Sequence, residues 1–237
     1  TQLHTNDFPS EFAHSLALGP GGTILLAVSS LGAAFQHSHL HAYVYENNSL
    51  RITGDDLWLE GCLDIQMEPD GTIFVAKGYA GLSTYIYDGS SFSNIAHSSA
   101  PAYGVTVDST GLVFTANGED GLSVYEYDES SFSLIDFIND EGFAWDVAID
   151  SNGTVFLANG DAGLWSYMFE ENEFIQTAHT DSGGSARSVA IDSYGTVFLA
   201  NESDGLRAYS YTDSSFINVA HVNDGGSASD VFLGPDE

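Results

Sequence analysis

The residues best equipped for chemistry in this sequence are histidines at alternate positions, in the run Gln36-His37-Ser38-His39-Leu40-His41. In extended backbone successive side chains point to opposite sides, so His37, His39 and His41 would share one side. Two imidazoles at that spacing can chelate zinc or copper, provided that acceptors orient the rings and a coordination position stays open. Acidic residues abound, but spacing places none beside this run, and solvent-exposed loop histidines are the competing reading.

A second set is defined by rarity. Trp58, Trp145 and Trp165 are the only tryptophans, and Lys77, Arg187 and Arg207 are three of the four cations. With His14, Tyr79 and Tyr103 they form a candidate ligand-binding set, because rings beside amides and carboxylates suit the C–H faces and hydroxyls of a saccharide. The same residue types anchor protein partners. His14, Tyr103, Asp146 and Arg187 could also be read as acid, base and stabiliser of a polysaccharide lyase, with Arg neutralising a carboxylate. No nucleophile motif accompanies them.

What must position these residues is a repeat of about 42 residues. Its clearest copies span residues 142 to 182 and 184 to 224. Each copy holds four short segments rich in β-branched and aromatic residues, bounded by Gly, Asp, Asn or Ser, and these are strands A to D. In the fourth copy they are Ala144 to Ile149, Thr154 to Ala158, Leu164 to Phe169 and Phe174 to His179. The A to B turns, such as Asp150-Ser151-Asn152-Gly153, use Asp to bond its own backbone and Gly for positive φ. Their carboxylates are therefore structural first, with Ca2+ as the ion they could otherwise hold. The Tyr-x-Tyr pairs of strand C, such as Tyr85/Tyr87 and Tyr125/Tyr127, have the period of one sheet face and read as packing between sheets.

Four-stranded units of this length arranged radially make a β-propeller, so the expected fold is all-β, in one domain over residues 1–237. Its repeats run approximately 11–57, 58–100, 101–141, 142–183 and 184–225, with partial terminal strands at 1–10 and 226–237. Five blades are favoured over six, because a sixth would lack its B and C strands. Leu18-Gly19-Pro20 recurs only as Leu233-Gly234-Pro235, so the chain end echoes a position five units earlier. Terminal strands that pair with a neighbour would give self-assembly by strand addition.

The repeats resemble the LVIVD-type propeller repeats of bacteria and archaea over about residues 60 to 225. The resemblance rests on Val105, Ala116-Asn117-Gly118 and Gly121-Leu122, and again on Val147, Ala158-Asn159-Gly160 and Gly163-Leu164. It implies a surface or exported protein, with no single activity attached.

The 237 residues carry a formal charge of -30, from 34 acidic side chains against four Lys and Arg. A nucleic-acid backbone needs cations to displace its counterions, so that partner is excluded. No apolar run is long enough to span a membrane. Cys62 is the one cysteine, which rules out an intrachain disulfide. The chain opens on Thr1 rather than Met, as a mature or excised segment would. Together these features predict an extracellular or cell-surface module. It would bind a glycan or protein on the face bearing the D to A and B to C loops, where the copies differ most.

Overall fold

A computed structural model of the chain describes residues 11–30, 38–54, 57–212 and 214–234. It is all-β, with five antiparallel sheets forming the blades of a five-bladed β-propeller. The chain divides into two compact units, the first holding two sheets and the second three.

In the first unit β1 (Glu11–Leu18), β2 (Thr23–Ser30) and β3 (Ser38–Glu46) lie in chain order, and β4 (Ser49–Ile52) and β5 (Leu57–Leu59) both pair with β3. Its second sheet is β6 (Asp64–Met67), β7 (Thr72–Ala76), β8 (Leu82–Tyr87) and β9 (Phe92–Ser98). The second unit begins with β10 (Gly104–Val107), β11 (Leu112–Ala116), β12 (Leu122–Tyr127) and β13 (Phe132–Ile138). Next come β14 (Asp146–Ile149), β15 (Thr154–Ala158), β16 (Leu164–Glu170) and β17 (Glu173–Thr180), then β18 (Ser188–Ile191), β19 (Thr196–Ala200), β20 (Leu206–Thr212) and β21 (Ser215–Val222).

The turns close as their residue types dictate. Asp150 Oδ1 accepts from the backbone N–H groups of Asn152 and Thr154 at 2.8 and 2.9 Å, and Asp108 and Asp192 do the same in their own turns. Gly153 completes the turn at φ 84. These carboxylates therefore hold hairpins together.

Between sheets the packing repeats. Phe114, Ala116 and Leu122 of one sheet meet Val147, Val155, Leu157 and Tyr167 of the next. One sheet further on, Phe156, Ala158 and Leu164 meet Val189, Val197, Leu199 and Tyr209. In β15 strand B is buried along its whole length, from Thr154 to Ala158, because both of its faces are covered. At the C strand, the Tyr167 Oη donates to Asp140 Oδ2 at 2.6 Å. Burial, then this bond to a carboxylate, pushes the Tyr167 phenol well above its ordinary range. Folding therefore favours the neutral phenol. The associated stability is fully present below about pH 10, where the unfolded phenol ionises, and is lost as pH rises beyond it. Denaturant titrations should show a smaller loss of stability above pH 10 in Tyr167→Phe than in the wild type. Equal slopes would remove this phenol from the alkaline transition.

Candidate functional site

Each sheet of the second unit is tied, at the end that carries the B to C turns, to the chain that follows it. Gly118 and Ala144 exchange backbone hydrogen bonds of 3.0 and 2.9 Å, Gly160 and Ala186 do so at 3.1 and 2.9 Å, and Glu202 and Ala228 at 2.9 and 3.0 Å. Ala144, expected as the first residue of a strand, instead makes this bridge, and its strand starts at Asp146. The bridge places each residue after the alanine beside the preceding turn. Trp145 and Arg187 are thereby brought into one cluster.

The cluster is a ladder of rings ending in an ion pair. Tyr103 lies edge-on to Phe143 and Trp145 with centroids 4.8 and 5.4 Å apart, and Phe143 sits 4.2 Å from Trp145. The Arg187 guanidinium carbon stands 3.9 Å over the Trp145 ring, a cation–π contact. Arg187 Nε donates to Glu202 Oε1 at 2.5 Å, and Nη2 reaches the same oxygen. Tyr103 is only 9% exposed, so it supports the ladder from beneath. Gly118 is required there. A Cβ on it would approach Tyr103 Cε2 to 2.7 Å and Phe143 Cζ to 2.9 Å.

Glu202 occupies a column that is glycine in the three preceding repeats. Gly78, Gly118, Gly160 and Glu202 have φ of 60, 64, 57 and 43. A residue with a Cβ in this region costs about 1 kcal/mol, and at Glu202 the side chain that incurs the cost holds Arg187. Glu202→Gly should relax the backbone while releasing the arginine, so the two changes offset to within about 1 kcal/mol. Thermal melts should move little while tryptophan emission shifts as Arg187 leaves the ring. A large loss of stability would show the ion pair to be structural.

Trp165 and Arg207 form two separate contacts. Trp165 stacks on His179 at 4.0 Å, and the Trp165 Nε1–H and the His179 Nε2–H both donate to the Ala162 carbonyl, at 3.0 and 2.7 Å. Arg207 grips Asp204 with two bonds of 2.5 and 3.1 Å, and the His221 Nε2–H donates to the Asp204 carbonyl at 2.6 Å. The bond to Arg207 holds the Asp204 carboxyl below its ordinary range. His97 meets Ser83 Oγ at 3.1 Å. His179 and His97 thus contact the residue across from them in strand C, whereas His221 meets the turn at Asp204.

Asp146 also serves the scaffold, accepting from the backbone N–H groups of Val147 and Val189 at 2.8 and 2.9 Å. Asn159 Nδ2 donates to the Glu141 carbonyl at 2.7 Å, and Asn201 Nδ2 donates to the Gly183 carbonyl. The asparagine after strand B therefore pins the loop that enters its own blade in the last two sheets.

In the first unit, Lys77 stands where the last three repeats have Asn117, Asn159 and Asn201. Burial lowers its pKa, with Glu60 partly opposing the shift. Tyr79, two residues on, is 77% exposed. The histidines expected in a loop are partly in a strand, because β3 already begins at Ser38. His39 is buried, and its ring lies parallel to that of His41 with centroids 5.8 Å apart, on one side of β3. His37 lies outside the described residues. Trp58 pairs in register with His39, and His14 sits at a bulge in β1. Among the described residues no three His, Cys, Asp or Glu side chains gather as a metal site.

The sequence reading missed Phe143, Glu202 and Asp204. For two of them a signal was present. In the last three repeats and the terminal segment Phe143 stands in a column that otherwise reads Pro101, Ser185 and Ser227, and Glu202 follows Gly78, Gly118 and Gly160 in its own column.

No protein-family description and no curated protein matches the chain. Among solved structures it is similar to the computationally designed Ika8 protein, at a TM-score of 0.65 and 8% identity. The match covers 94% of this chain and 65% of the designed one. At that identity the likeness concerns the fold alone.

Proposed function

We propose that the chain is a non-catalytic binding module, exported or displayed at a cell surface, which takes a protein partner on the face carrying the D to A and B to C loops. The observation that carries this reading is the ladder Tyr103, Phe143, Trp145, Arg187 and Glu202. Trp, Tyr and Arg dominate the energetic centres of protein interfaces, and a preassembled cluster loses little freedom on binding. Trp145 already contacts two rings and a guanidinium, so a partner meets the edge of a packed group, which favours a protein over a stacked sugar. Exposed Glu119, Asp120, Glu141 and Asp161 on the same loops favour a partner that is basic around its contact. A glycan is the second reading, favoured by the exposed ring of Tyr79.

The immobilised chain should be screened against secreted proteins and a glycan array, in parallel with Trp145→Ala and Tyr79→Ala. Loss of a protein signal by more than about tenfold in Trp145→Ala, with normal circular dichroism, is the expected result. A glycan signal lost only in Tyr79→Ala would replace it with the second reading. Binding indifferent to both variants would overturn the assignment of this face.

A further inference from the structure

The packing between successive sheets of the second unit changes character at the ends that carry the A to B turns. Between the third sheet, β10 to β13, and the fourth, β14 to β17, Leu112, Ile135 and Phe169 pack on the shared apolar core. Between the fourth sheet and the fifth, β18 to β21, the same three columns read Thr154, Thr177 and Tyr211. Two aliphatic side chains are replaced by hydroxyls, and the ring facing them gains one. A cleft of about 530 Å³ opens beside them, lined by Asp150, Asn152, Thr154, Thr177, Tyr194 and Tyr211 among others.

The hydroxyls form an ordered chain. Ser166 Oγ, on a fully buried residue, lies 3.3 Å from the Ala178 carbonyl oxygen and 2.9 Å from Thr177 Oγ1, which lies 2.8 Å from Tyr211 Oη. A carbonyl can only accept, so Ser166 donates to it, Thr177 donates to Ser166 and Tyr211 donates to Thr177. The Tyr211 oxygen is thereby left with lone pairs for a donor that enters the cleft. Asp150 supplies a second acceptor. Its Oδ1 is taken by the turn, whereas its Oδ2 has a long contact of 3.5 Å with Asn152 Nδ2. The exposed Asn152 amide adds a donor beside it.

Tyr194 completes the lining. It is 90% exposed in the A to B turn of the fifth sheet, where the preceding repeats have Asp70, Thr110 and Asn152. A ring so exposed contributes little burial to folding and presents its π face beside the polar groups of the cleft.

We propose that this cleft binds a neutral saccharide, with a C–H face of the sugar on Tyr194, hydroxyls donating to Tyr211 Oη and Asp150 Oδ2, and an oxygen accepting from Asn152 Nδ2. A sugar carries donors, acceptors and an apolar face on one small ring, which matches this lining. No Lys or Arg lines the cleft and Asp150 is a carboxylate, so uronates and sulfated sugars are repelled. The cleft lies at the A to B turns, the opposite end of the strands from the ladder, so it does not rest on the partner reading above.

Saturation-transfer NMR of the whole chain with neutral oligosaccharides of glucose, galactose, mannose and N-acetylglucosamine tests this, alongside Tyr194→Ala, Thr177→Ile and Trp145→Ala. Thr177→Ile installs the residue of the third sheet, so it should keep the wild-type circular dichroism while breaking the hydroxyl chain. At least one neutral sugar should receive saturation, with affinity lowered about tenfold or more in Tyr194→Ala and in Thr177→Ile and unchanged in Trp145→Ala. An oligogalacturonate should receive none. Absence of transfer to every neutral sugar, affinity unchanged in Tyr194→Ala and Thr177→Ile, loss in Trp145→Ala alone, or tighter binding of the acidic oligomer would each overturn the proposal.

Discussion

Phe156→Ala should lower the free energy of unfolding by about 3–5 kcal/mol, whereas Phe198→Ala, one repeat later, should cost only about 1–2 kcal/mol. Both phenylalanines hold the same place in strand B. Phe156 is 1% exposed and packs edge-on against Tyr211 and near Phe216, with centroids 5.0 and 6.1 Å away, in the core between two sheets. Truncation there removes a full ring and leaves a cavity walled by rigid strands. Phe198 is half-buried on the outer face of the last sheet, so water already reaches part of the space that truncation opens. Urea denaturation of dilute protein, below any self-association, measures both. Equal losses would mean that the outer face of the fifth sheet is covered in solution as the inner ones are.

Gly163→Ala should destabilise by more than about 2 kcal/mol and Gly153→Ala by about 1 kcal/mol, although their φ values are nearly equal at 81 and 84. At Gly153 an added Cβ meets open space, so only the left-handed backbone opposes it. At Gly163 the Cβ would lie 2.4 Å from the Thr180 carbonyl oxygen and 2.9 Å from the Asp181 Cα. Both neighbours are backbone at the end of strand D and cannot rotate aside as a side chain could. Relief requires opening the β16 to β17 pairing where Leu164 faces Thr180, the site that Leu164 fills with its fully buried side chain. Paired thermal melts separate the two terms. Matching melting temperatures would show that the strand end yields without loss of packing.

The ladder was legible in part. Trp145 and Arg187 stood out because the columns around them are nearly constant, and the structure brings that pair into contact. Trp165 and Arg207 stood out for the same reason but face histidine and aspartate of their own sheet, away from the ladder. Rarity marks a residue as unusual in its column, and cannot tell which neighbour across the sheet receives it. Asp204 was hidden by its type, because one more carboxylate is unremarkable in a chain with 34.

The sequence by itself determined the strands, the hairpin turns, the number of sheets and the order of strands within each. All of these follow from local physics: alternation at period 2, φ preferences of Gly at the turns, and Asp bonding its own backbone. Tertiary structure decided which scarce side chains are committed to packing, because those contacts join segments 15 to 43 residues apart, as in Arg187 with Glu202 and Ser188 with Val231. A repeat specifies the same positions in every copy, and only the contact between neighbouring blades, Arg187 over the Trp145 ring, shows which copies build the cluster.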